Sequence, residues 1–95
     1  MNLYYKRYWD ETTGEELTDN WGTSIYYFET NEELSVIRQI QIFKHGAVLK
    51  YSVDFPLDEF GMLSDQQFDQ IEFQKFAITE TEFTTAWNNL ERKSL

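Results

Sequence analysis

The chain has 95 residues, with 17 acidic against 8 basic for a net charge of −9, one histidine and no cysteine. The lack of cysteine excludes a disulfide framework, a thiolate nucleophile and any Cys-based metal or iron–sulfur site. The acidity makes nucleic acid and anionic membrane surfaces unexpected partners, because both repel a negative chain.

At 41% hydrophobic and 18% aromatic, the residues have enough large rings for one core, and the length predicts a single domain over 1–95. Met1 to Arg7 lacks the apolar stretch of a signal peptide. No apolar run approaches the ~20 residues that cross a bilayer, so a cytoplasmic protein is expected.

In chain order, Leu3 to Trp9 is aromatic-rich and reads as a strand. Asp10 to Asn20 is an exposed acidic loop carrying Glu11, Glu15, Glu16 and Asp19. Thr23 to Thr30 is β-branched and aromatic, a second strand, and Asn31-Glu32-Glu33 is a polar turn. From Leu34 to Phe43 the pattern has period two. It puts Val36, Ile40 and Ile42 on a core face and Gln39 and Gln41 on the opposite one, as in a half-buried strand. Arg38 falls on the apolar side, against the pattern.

His45-Gly46 separates this run from the alternating Ala47, Leu49, Tyr51 and Val53, which predicts a tight hairpin with glycine at positive φ. Pro56 closes the strand region, and 54–61 reads as loop. Two helix starts follow, each with a polar cap, a Gln or Glu three residues on, and an apolar staple. One is at Ser64 with Gln67, Leu63 and Phe68, the other at Thr79 with Glu82, Ile78 and Phe83. The first helix is expected to end near Ile71. The second is expected to reach about Arg92, with Phe83, Ala86, Trp87 and Leu90 as a buried stripe. Between them, Glu72 to Ala77 reads as a short strand. The fold class is α+β: a twisted antiparallel sheet of four to five strands with a C-terminal helix on one face. That architecture leaves the other face open and some of the strand tyrosines exposed.

Chemistry is hard to assemble from these residues. The single histidine, His45, sits at a hairpin tip, where a residue tolerant of positive φ is the simplest reading. With that turn histidine as the only one, and no cysteine, no Ser/His/Asp or Cys/His set can be assembled. The scattered glycines form no phosphate-cradling loop. Carboxylates are the abundant reactive group: Asp54, Asp58, Glu59, Asp65, Asp69 and Glu72 form a run with no basic residue among them. Their spacing lacks the alternating ligands and closing glutamate of a calcium loop, so no metal or other cofactor is expected. The run reads either as a solvated face or as an electrostatic docking surface for a basic protein, extended by Glu15 and Glu16.

The strand Ile25-Tyr26-Tyr27-Phe28-Glu29, the hairpin Arg38-Gln39-Ile40-Gln41-Ile42-Phe43-Lys44-His45-Gly46 and the segment Glu82-Phe83 with Trp87 resemble a small bacterial domain of unknown function. Its members show a tyrosine–acid strand, an R-x-I-E-I-F-x-D-G hairpin and a closing E-F-x-x-x-W helix. Here Gln41 and His45 stand where those members usually carry acids. Small, acidic, cysteine-free domains of this type are similar to the immunity proteins that neutralise bacterial toxins. The family brings no chemistry of its own. The net charge of −9, the acid run, the surplus tyrosine and the lack of catalytic sets, taken with the likeness to immunity proteins, lead to the expectation of a non-catalytic domain that binds a basic toxin domain, such as a nuclease. The alternative is a small enzyme or ligand-binding domain with clustered carboxylates in a pocket.

Overall fold

Segments rich in β-branched and aromatic residues build four strands, β1 (Leu3–Trp9), β2 (Ser24–Thr30), β3 (Val36–Phe43) and β4 (Val48–Ser52). In the computed structural model, which describes residues 1–94, they form one sheet in the order β1-β2-β3-β4 with every neighbour antiparallel. Two helices follow, the short α1 (Gln70–Phe73) and α2 (Glu80–Asn89), with 3-10 turns at Asp19–Trp21 and Gln74–Phe76. The fold is α+β, a four-stranded meander with a C-terminal helix.

The helix α2 starts where the sequence says, with the Thr79 hydroxyl accepting from Glu82 N at 3.1 Å. It spans the sheet from edge to edge. Ile78 N donates to Tyr4 O at 2.9 Å beside β1, and beyond the helix Val48 N donates to Lys93 O at 2.7 Å beside β4. Ten residues give a rod of about 15 Å, which matches the width of about 14 Å across four strands. The chain on either side of α2 therefore lies along both outer strands and covers part of each open edge.

Beneath α2, Phe83 is fully buried. Arg38, anomalous in the sequence, has a clear role here. Its Nε donates to the buried Glu29 carboxylate, and its guanidinium lies 5.0 Å from the Phe83 ring centre and 4.8 Å from that of Trp87. Lys50 sits 4.3 Å over Trp87 and donates to the carbonyls of Trp87 (2.7 Å) and Leu90 (3.0 Å) at the end of the helix. The expected buried stripe is narrower than its period suggests. Trp87, Ala86 and Leu90 are only half-buried, and the helix ends at Asn89 rather than near Arg92. Trp87 is a cover for two cations instead of a core residue.

The opposite face is not open. Tyr5, Phe28, Gln39 and Tyr51 are successive cross-strand partners on it, and the chain from Leu57 to Phe76 lies over them. Phe68 and Phe73 stack at 4.0 Å and meet Phe28 edge-on. Gln39 and Gln41, expected in solvent, are 3% and 6% exposed. A register shift between Glu29 and Thr30 also breaks the period of β3. It sends Val36 to this face, where it packs with Tyr5, Phe28 and Phe73, away from Ile40.

Two sequence-predicted elements give way to this covering layer. No helix begins at Ser64. The Gln39 side chain donates to Met62 O at 3.1 Å and accepts from Ser64 N at 2.8 Å, and Gln67 bridges to Ser35, so the chain stays extended. Leu63 and Phe68 reach the core along that extended path, and the cap moves to Asp69, whose carboxylate accepts from Ile71 N and Glu72 N. The expected strand over Glu72–Ala77 is helical, apart from a single bridge from Ala77 to Tyr5. Of the tyrosines, Tyr8 is the exposed one, while Tyr5 and Tyr51 are buried.

Candidate functional site

Between the sheet and its irregular cover lies a cleft of about 670 Å³, within the range of ligand-sized sites. Tyr26, Phe28, Gln39 and Gln41 line it from the strands, and Phe60, Phe68 and Phe73 from the covering segment. The acidic loop after β1 adds Thr13 and Glu15.

Each wall is held by a local device. The loop is closed by Thr13 and Thr18, whose hydroxyls meet at 2.6 Å, and by Asp19, which accepts from Gly14 N at 2.9 Å. Hydrogen bonds from Thr12 and Gly14 keep the Asp19 carboxyl below its usual range. Trp21 then wedges this loop against Phe43 and Phe60. On the other side, Leu57 pairs with Met62 around a turn built on Asp58. Its carboxylate accepts from Tyr51 Oη (2.7 Å), Phe60 N (2.9 Å) and Gly61 N (3.2 Å), and pairs with Arg92.

The predicted acidic residues separate into three groups. Glu15, Asp69 and Glu72 come from distant parts of the chain and line the one cleft. Asp54, Glu59, Asp65 and Glu16 are exposed and lie outside it. Asp58 is turned inward and spent on the turn, because three hydrogen bonds and a guanidinium hold it more tightly than water would. Asp58 therefore holds the turn.

Arg7, Tyr26, Gln39 and Gln41 are site residues that the sequence reading missed. Arg7 pairs with Glu72 at 3.4 Å and lies over the rings of Phe73 and Phe76. Tyr26 stacks on Phe28 at 5.0 Å, and burial pushes its phenol pKa up. The available signal was a pair of glutamines at alternate positions of a strand, which marks a polar row without saying whether it is wet.

His45 is not part of the cleft. Its ring stacks on Trp21 at 5.1 Å, and its Nδ1 accepts from Ala47 N at 3.3 Å. The positive φ in this turn belongs to Gly46, at 115°, and not to His45. Among the described residues, no group of three or more His, Asp or Glu side chains is placed to hold a metal ion, and no helix is long and apolar enough to cross a membrane. No protein-family model, curated protein or solved structure matches the chain.

Proposed function

We propose that this protein is a non-catalytic binding domain that docks a basic protein, in the manner of an immunity protein that neutralises a toxin such as a nuclease. The observation that carries this reading is the cleft, lined by three acidic residues and one arginine between aromatic walls. Clustered charge of one sign steers an oppositely charged partner, and apolar walls supply contact area once it arrives. Next to the cleft, Val53, Phe55, Leu57 and Met62 expose large apolar side chains, and Met62 belongs to both surfaces. Apolar residues flanked by acids suit the centre and rim of a protein interface.

The test is co-expression with the product of the reading frame next to this one in its genome. Growth rescue and a complex that co-elutes with the purified protein are the expected results. A combined Glu15→Gln, Asp69→Asn and Glu72→Gln variant should lose rescue while remaining folded, since asparagine still caps a helix. Rescue by that variant at the wild-type level would remove the acidic cleft from the interface.

The size of the cleft also favours a second reading, a binding domain for a small cationic molecule. Calorimetric binding of small guanidinium or ammonium compounds, with no complex formed with the neighbouring frame's product, distinguishes it.

A further inference from the structure

Gln41 is 6% exposed and lines the cleft, and its Nε2 donates to Ser24 Oγ at 3.0 Å. Among the described residues no donor reaches its Oε1. The only side-chain polar atom among them that is sealed and unpaired is Thr30 Oγ1, so the Gln41 oxygen keeps its access through the cleft. Tyr26 is the direct cross-strand partner of Gln41, and its hydroxyl likewise has no partner among the described residues. Gln41 Oε1 and the Tyr26 hydroxyl are thus two acceptors on one wall of the cleft that are free to take N–H donors from outside.

The charge around them selects the donor. Glu15, Asp69 and Glu72 line the cleft against Arg7 alone, and Arg7 is already paired with Glu72. An incoming group is therefore cationic. Elsewhere the chain repeatedly seats arginine on rings: Arg38 on Phe83 and Trp87, and Arg92 on Tyr51 and Phe55. A flat guanidinium offers several N–H groups to separate acceptors and lies against aromatic walls. It is also less strongly hydrated than an ammonium.

We propose that the cleft receives one arginine side chain of the docked protein, with Gln41 Oε1 and the Tyr26 hydroxyl accepting its N–H groups and Glu15 and Glu72 facing its charge. This rests on the docking reading above and names what that surface recognises.

The probe is N-acetyl-argininamide, titrated into the labelled protein and followed by NMR at the Gln41 side-chain amide and at the indole of Trp9, which also lines the cleft. Saturable shifts are expected. Binding should be about tenfold weaker for the lysine analogue and absent for the uncharged citrulline analogue. Tyr26→Phe, which breaks no internal hydrogen bond, should weaken binding about fivefold, and Gln41→Met by a similar factor. No shift with the arginine compound, or equal shifts with citrulline, overturns the inference. If the neighbouring frame's product binds wild type and both variants equally, the arginine seat is wrong and docking stands. If the arginine compound fills the cleft but that product never binds, the docking reading fails, and with it a partner arginine as the occupant.

Discussion

The guanidinium of Arg38 is held between a buried carboxylate below and the Trp87 ring, 4.8 Å away, above. A charged residue on an apolar strand face is thereby neutralised by Glu29 and roofed by an aromatic from α2, so the helix is fastened to the sheet through a cation as well as through Phe83. Phe83, fully buried, and Trp87, half-buried, should then differ in their truncation costs. Phe83→Ala is expected to cost about 3–5 kcal/mol. Trp87→Ala should cost about 2 kcal/mol, from lost cation–π contact and partial burial. Urea midpoints decide the order, and a larger loss for Trp87 would contradict the roof geometry.

Glu29 makes stability depend on pH. Burial raises its pKa, but the hydrogen bond from Arg38, those from Asn2 and Tyr4, and the charge of Arg38 together hold it below the ordinary glutamate value. A folded pKa below the unfolded one stabilises above the unfolded pKa, and the contribution fades as pH falls through that value towards the lower one. Wild type should lose stability from about pH 5 downward, starting near the ordinary glutamate pKa. Glu29→Gln should start lower at neutral pH and decline less steeply. Denaturation midpoints of both proteins across an acid series measure this, and parallel curves would show that Glu29 does not carry the effect.

Gln39 fastens the covering segment to the sheet through Met62 O and Ser64 N. Gln39→Leu keeps the volume but leaves both backbone groups without a partner. A loss of about 2–3 kcal/mol is expected, together with faster hydrogen exchange at the Ser64 amide than at amides of β2. An unchanged Ser64 exchange rate would mean that the segment is held by its aromatic residues alone.

Electrostatic docking predicts a kinetic signature. Association with the proposed basic partner should slow steeply as salt rises, because steering is screened over a Debye length of ~8 Å at physiological ionic strength. Dissociation, governed by close packing, should change little. Changing Glu15, Glu59, Asp65 and Glu72 to their amides should imitate high salt without unfolding the protein. Asp58 is left out because Asp58→Ala should cost about 2–4 kcal/mol by stripping acceptors from Tyr51, Phe60 and Gly61. Stopped-flow measurements across a salt series separate the cases, and an unchanged on-rate in the four-amide variant leaves those acids as solubility.

What the sequence determined by itself is local. Runs of aromatic and β-branched residues specify β1 and β2, and alternation specifies β3 and β4 because a strand's side chains have period two. Gly46 specifies the hairpin through its positive φ, and Thr79 with Glu82 specifies the start of α2 by satisfying free amides. The tertiary structure decided everything that depends on which surface meets which. Ser64 has the same capping signature as Thr79, yet the sheet takes its amide through Gln39 and holds the chain extended, because a long-range partner displaced the local one. Gln39 and Gln41 read as a wet face since polarity and period are the same whether the row meets water or a covering segment. The acid run looked continuous along the chain. Folding turned Asp58 inward, left Asp54, Glu59 and Asp65 in solvent, and joined Asp69 and Glu72 to Glu15 from more than fifty residues earlier. The membership of a cleft is set by chain crossings in space, and no spacing rule along a single sequence encodes them.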